Sequence, residues 1–288
     1  ALHGWIEYRS ACWFNSLDYS CRRWRRALGR LTDHMRIVVA VPARLESSRL
    51  PRKVLADIGG KAMLQRVLEQ CAKAQRPDDV VLCTDSEELR DIATTWGFRT
   101  VMTPASFSSG TDRIAYAAKE IEADVIINVQ GDQPFIDPLV IDRVANECAT
   151  RNPTPNVLTP IYKLNQDGIH NPNTVKALLK LNGDAIYFSR SAIPSQRDAA
   201  PEDWAKHADY WGHVGLYAYS RSVLLDWPNY RESEIENLEK LEQLRFIENG
   251  VTVGTIVIDE PLGEVNVPQD LDLAREIVGK SDQSSKLK

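Results

Sequence analysis

From Ile37 onward the chain alternates short continuous apolar runs with stretches in which apolar residues recur every three or four positions. The runs at 37–41, 80–83, 99–102 and 124–129 read as buried parallel strands. Between them, residues 61–75 carry Met63, Leu64, Val67, Leu68 and Cys71 on one helical face. Ser86 is placed to cap a helix with Leu89, Ile92, Ala93 and Trp96 inward, and Gly97 stops it. Residues 111–121 turn Ile114, Ala117, Ala118 and Ile121 to one side, and 138–149 read as a further helix. Repeated strand–helix units of this kind predict an α/β fold built on a mostly parallel, doubly wound sheet.

The pattern changes after the turn-rich joint 151–156. Residues 175–181, the turn Asn182-Gly183 and residues 185–189 predict a hairpin, so antiparallel strands join the second half. Residues 195–209 are polar and proline-bearing and are predicted to form a mobile loop. A strand is expected over 213–219, a helix over 238–249 ended by Gly250, and a strand over 252–258. Pro268 fits the first turn of a last helix, with Asp270 and Asp272 at its positive end. The organisation expected is therefore an extension at 1–34, two halves of one domain at 35–150 and 151–279, and a disordered tail at 280–288.

Composition narrows the class. The chain has 288 residues, 43% hydrophobic and 26% charged, which is ordinary for a globular protein. A net charge of −5 argues against general nucleic-acid binding. No apolar run approaches the roughly 20 residues that cross a bilayer. The five cysteines are scattered with no Cys-x-x-Cys pair, which fits a reducing cytoplasm. Residues 1–34 hold three of the seven tryptophans and the cluster Arg22-Arg23-Trp24-Arg25-Arg26, and Met35 precedes the first strand as a start would. They read as an added segment outside the chemistry, with an Arg-rich targeting or surface-binding helix as the alternative.

Against this acidic background one stretch is basic. Pro42-Ala43-Arg44-Leu45-Glu46-Ser47-Ser48-Arg49-Leu50-Pro51-Arg52-Lys53 follows the first strand and crowds four cations into a loop. A loop between a first strand and a first helix is where open α/β sheets bind phosphates. It is not glycine-rich, so neither a Walker loop nor a dinucleotide fingerprint applies. It reads as a polyphosphate clamp or as a solvated charge run. Asp132 follows the strand at 124–129, where a carboxylate opposite a cationic loop suits Mg²⁺ held between protein and phosphates; an Asx turn beside Gly131 is the plainer reading. Ser109-Gly110-Thr111-Asp112-Arg113 opens a helix, as an anion site or a simple cap with Arg113 solvated. In the second half Arg190 could fork onto a carboxylate. His213 and Tyr217, four apart on one predicted strand, face one side. Glu242 and Gln243 sit on a helix. No zinc-like spacing and no activated nucleophile stands out.

Taken in order, Pro-Ala-Arg-x-x-Ser-Ser-Arg-Leu-Pro-x-Lys (42–53), Ser-Gly-Thr-Asp-Arg (109–113), Asn-Val-Gln-Gly-Asp-Gln-Pro (128–134), Tyr-Phe-Ser-Arg-x-x-Ile-Pro (187–194), His-Val-Gly-Leu-Tyr-Ala-Tyr (213–219) and Leu-Glu-Gln-Leu-Arg (241–245) resemble the 3-deoxy-manno-octulosonate cytidylyltransferase family. The resemblance runs from about Arg36 to Val278. It implies a nucleotide-diphospho-sugar transferase-like fold and a cytoplasmic, commonly dimeric enzyme. That enzyme would use CTP, the keto-sugar acid Kdo and Mg²⁺ to make CMP-Kdo for lipopolysaccharide. By position, Ala43, Arg44, Ser48 and Lys53 would hold the triphosphate, with Arg44, Lys53 and Asp132 catalytic. Ser109, Arg113 and Gln130 would surround the cytidine and sugar. Arg190, His213, Tyr217, Glu242 and Gln243 would face Kdo, and Asp132 and Asn266 the metal. Two positions depart from the family. Arg52 stands where many relatives have glycine, and Asn266 where the second metal aspartate falls. A related amino-Kdo or nonulosonic acid as substrate, or a CTP-binding paralogue without turnover, are the alternatives this leaves.

Overall fold

The computed structural model describes residues 34–46, 50–107 and 109–286. The expected extension at 1–34 therefore lies outside the described residues, apart from His34. The first half runs β1 (Ile37–Ala43), a small hairpin of β2 (Asp57–Ile58) and β3 (Lys61–Ala62), α1 (Met63–Lys73), β4 (Asp79–Thr84), α2 (Glu87–Thr95), β5 (Arg99–Met102), α3 (Gly110–Ala117), β6 (Val125–Asn128) and α4 (Pro138–Thr150). Every residue of β1 is buried. Val38 and Ala40 pack with Ile114, Ala115 and Ala118, and by alternation Ile37, Val39 and Val41 face the other side. The sheet is thus covered on both faces, which is why its strands read as unbroken apolar runs. Ser86 accepts from Leu89 N as the cap of α2, and Ser109 accepts from Asp112 N as the cap of α3.

The second half runs β7 (Val157–Lys163), α5 (Gln166–His170), β8 (Lys176–Leu179), β9 (Ala185–Ser189), α6 (Trp204–His207), β10 (Trp211–His213), β11 (Tyr217–Ser220), α7 (Arg221–Asp226), α8 (Glu234–Glu239), α9 (Gln243–Glu248), β12 (Val253–Val257) and α10 (Pro268–Lys286). One ten-stranded sheet joins both halves in the order β5-β4-β1-β6-β11-β7-β10-β8-β9, with β12 also pairing β7. Its β5-β4-β1-β6 part is parallel. The pairs from β6–β11 to β8–β9 are antiparallel. Cys71, Cys83 and Cys148 are buried and free, and burial pushes the Cys83 and Cys148 thiols up to about 12.

Four expectations are corrected. The strand over 213–219 is two strands, β10 and β11, that both pair β7 and break at Val214-Gly215-Leu216. The break lies opposite Thr159 and Pro160 of β7, where a proline has no N–H to offer a neighbour. The helix over 238–249 is two helices, because Lys240 adopts φ 55. The turn folds α9 back so that Arg245 pairs Glu236 at 2.8 and 2.6 Å. The loop over 195–209 holds α6, whose Trp204 is buried and stacked on Tyr210 at 5.9 Å. Finally, α10 carries its helical backbone past Lys280 to Lys286. No proline or glycine after Gly279 stops it.

Candidate active site

Strands β1 and β6 are parallel neighbours, so the loops at their carboxyl ends meet over one crevice. The loop after β6 closes tightly on β1: a Cβ on Gly131 would sit 3.0 Å from Pro42 O. Asp132 follows, and its Oδ2 accepts from Lys53 Nζ at 2.7 Å. Lys53 also donates to Val265 O at 3.0 Å, and Val265 N donates to Asp132 O at 2.9 Å. Three segments distant in sequence are stitched at this point. Val265, Leu271, Ala274 and Val278 pack on Ile58 and Met63, so α10 anchors the third of them.

Two cavities share Gly110, Gln130 and Asp132. The first, about 240 Å³, is lined by Ala43, Arg44, Lys53, Ser109 and Arg113. Arg113 is 3% exposed, lies 3.3 Å from Asp85 and bonds Thr103, so it is no solvated surface cation. Arg52 is turned away. Its guanidinium grips Glu88 at 3.2 and 2.5 Å, outside the lining. Its φ of 54 is left-handed, a conformation glycine adopts without cost. Of the four cations crowded into the loop, Arg52 therefore does not face the cavity. Ser48 and Arg49 lie outside the described residues.

The second cavity, about 340 Å³, adds Tyr217, Tyr219, Glu242, Gln243 and Glu264. Glu242 accepts from the Thr111 and Ser109 hydroxyls, and loss of hydration raises its pKa despite them. Gln243 is 4% exposed and its Nε2 finds no partner, a donor held ready for something the cavity takes in. His213 lies outside this lining, its ring 5.4 Å from that of Tyr217 and edge-on to Phe188 at 4.9 Å. Burial lowers its pKa to about 3, so the ring is neutral. Thr159 Oγ1 lies 3.0 Å from His213 Nε2, 3.1 Å from Val214 O and 2.8 Å from Leu216 O. The hydroxyl has one proton and both carbonyls only accept, so His213 donates through Nε2–H and keeps Nδ1 as an acceptor.

Besides His213, two predicted residues are not brought to the cavities. Arg190 donates through Nε to Glu239 O at 2.9 Å and through Nη1 to Pro172 O at 3.4 Å. Asn266 donates through Nδ2 to Glu264 Oε2 at 3.2 Å, and its N–H goes to Asp270 Oδ2 at 2.7 Å. It shapes the entry to α10. Among the lining residues to which sequence reasoning assigned no role are Tyr219, Thr111 and Glu264. Tyr219 could have been found as the same-face neighbour of Tyr217, two residues on. Thr111 lies inside the Ser109–Arg113 motif, and Glu264 carried no such signal. Asp132, Glu264 and the amide of Gln133 form an all-oxygen donor set that suits a hard divalent cation. Among the described residues no cluster of three or more His, Cys, Asp or Glu could hold a metal alone, so phosphate and water oxygens would have to complete its shell.

Residues 38–254 match the protein family described as Cytidylyltransferase. The chain is 41% identical over 256 residues to the 3-deoxy-manno-octulosonate cytidylyltransferase of Chloroherpeton thalassium, covering 85% of this chain and 99% of that one. It is 39% identical over 250 residues to the enzyme of the same name from Bacteroides thetaiotaomicron, covering 85% and 98%. A solved CMP:2-keto-3-deoxy-manno-octonic acid synthetase complexed with CTP superposes with a TM-score of 0.80 at 35% identity, over 85% of this chain and 99% of that one. A 4-diphosphocytidyl-2C-methyl-D-erythritol synthase from Anaerococcus prevotii shares the fold, with a TM-score of 0.58 at 12% identity over 86% of this chain and all of that one.

Proposed function

We propose that this chain, which belongs to the 3-deoxy-manno-octulosonate cytidylyltransferase family, joins CTP to Kdo and releases pyrophosphate. The observation that carries the reading is the pair of cavities meeting at Asp132, one lined by cations and one by hydroxyl, amide and carboxylate groups. The first suits a triphosphate and the second a polyhydroxylated acid. The anomeric hydroxyl of Kdo attacks the α-phosphorus in line with departing pyrophosphate, which needs positioning and charge neutralisation more than a protein nucleophile. Arg44 and Lys53 neutralise phosphate charge. Gln130, on the shared wall, orients both substrates. Gln243 donates to the sugar acid, Glu242 accepts from its hydroxyls, and neutral His213 backs Tyr217 from behind. Arg190, fixed on backbone carbonyls, is not assigned to the sugar.

Mg²⁺ would sit at Asp132, where it supplies charge neutralisation of the phosphates and lowers the pKa of an attacking hydroxyl. We place the product in the cytoplasmic supply of activated Kdo for lipopolysaccharide. A homodimer through the β8–β9 edge is part of the same reading, supported by Leu181 at 109% and Ile186 at 45% exposure beside the sheet's last strand. The test is a coupled pyrophosphate assay over CTP, UTP and ATP, each with several keto-sugar acids. Release confined to CTP with Kdo and Mg²⁺ supports the reading. Equal release with a nonulosonic acid would reassign the sugar, and none with any pair would leave a CTP-binding protein.

A further inference from the structure

The cavity end at Asp132 has a second carboxylate that the family pattern did not point to. Glu264 lines it together with Asp132. Its Oε1 reaches the bulge between β10 and β11, where a Cβ on Gly215 would lie 3.3 Å away. Two amides hold it in place, Gln133 Nε2 on Oε1 at 3.3 Å and Asn266 Nδ2 on Oε2 at 3.2 Å. The Val265 N–H to Asp132 O bond at 2.9 Å fixes the segment against Asp132 itself.

We infer that Glu264, and not Asn266, is the second protein carboxylate of the Mg²⁺ site begun by Asp132. The inference rests on the cytidylyltransferase reading and adds a residue to it. Charge is its first support. Asp132 has Lys53 at 2.7 Å, whereas among the described residues Glu264 has only neutral donors within hydrogen-bond distance. Two carboxylates that share a cleft, one of them with no cation in hydrogen-bond contact, are stabilised by a divalent ion. The second support is independent. Gln133 is 0% exposed, and while its Nε2 serves Glu264 its Oε1 has no partner, an orphaned acceptor beside the carboxylate that a hydrated cation satisfies. The chain thus keeps its carboxylate count by placing a glutamate two residues before the asparagine. Asn266 becomes the positioning residue, its amide orienting the ligand that replaced it.

The test is Mn²⁺ binding to the full chain, followed by electron paramagnetic resonance with CTP present and sugar acid withheld, so that no turnover enters. Glu264→Gln is expected to weaken Mn²⁺ binding by about tenfold or more, with CTP affinity measured without metal unchanged. Glu264→Gln combined with Asn266→Asp is expected to recover most of the loss. Asn266→Ala should weaken Mn²⁺ binding less than Glu264→Gln does. Wild-type Mn²⁺ affinity in Glu264→Gln would overturn this inference alone, as would a loss confined to Asn266→Ala. Absence of any CTP-dependent Mn²⁺ site in the wild-type chain would overturn the function reading as well. Thermal melting of each variant separates a lost ligand from a lost fold.

Discussion

Lys53 Nζ stands 2.7 Å from Asp132 Oδ2 and 3.0 Å from Val265 O, so one ammonium joins the basic loop, the acidic turn and the segment that leads into α10. The pair is mostly shielded, with side-chain exposures of 12% and 23%. Lys53 balances the Asp132 carboxylate at the point where both cavities meet.

Replacing that carboxylate removes charge and little volume. Asp132→Asn is expected to abolish measurable pyrophosphate release while the melting temperature moves by only a few degrees, because Lys53 keeps Val265 O as a partner. Activity assays and a melting curve on the same sample check this. Wild-type turnover in the variant would remove Asp132 from the chemistry.

Arg52 tests which cations face the ligand. Its charge is spent on Glu88, so Arg52→Gly should leave KM for CTP within about twofold, whereas Arg44→Gln should raise it about tenfold or more. Arg52→Gly should also melt above Arg52→Ala, because only glycine occupies the left-handed backbone of this position without strain. Steady-state kinetics and thermal melts on the three variants give both comparisons.

Gln243 tests the sugar side. Its buried Nε2 lacks a partner in the unliganded protein, so Gln243→Leu should cost little stability or add some. The same change should raise KM for the sugar acid about tenfold while KM for CTP holds. A matching rise in both constants would place Gln243 on the nucleotide instead.

His213 predicts a pH effect on stability. Its folded pKa of about 3 lies below the ordinary 6.5, so between those values the unfolded chain binds the extra proton. Its contribution to stability is complete above about pH 6.5 and falls as pH drops toward 3. Urea unfolding at pH 7.5 and 5 should show a loss of up to about 2 kcal/mol that His213→Gln does not share.

Much of this architecture was legible because burial writes itself into the pattern. β1, β4 and β6 are covered on both faces and read as unbroken apolar runs, and Ser86 and Ser109 announce helix starts by side-chain chemistry that acts over three residues. The breaks were not legible, because their causes are tertiary. Pro160 hides β7 by the usual rule against proline in a strand, and only the interruption between β10 and β11 beside it makes that proline tolerable. Lys240 looks like any helix residue until the Glu236–Arg245 pair requires the chain to turn there. At the site, the motif order singled out Asp132, Lys53, Gln130, Glu242 and Gln243, all of which line the two cavities. It placed Arg190 and Asn266 by position alone, and the structure gives their polar groups to neighbouring backbone and side chains. Glu264 belongs to no periodic pattern, and its place depends on a backbone bond between residues far apart in sequence.

The central claim is that Arg44, Lys53 and Asp132 cage a triphosphate and its metal at the carboxyl ends of β1 and β6. A crystal structure of the protein with CTP and Mg²⁺ tests it most directly. The account predicts phosphate oxygens within hydrogen-bond distance of Arg44 and Lys53, with the metal between them and Asp132. Phosphates bound elsewhere, or a metal with no contact to Asp132, would contradict it.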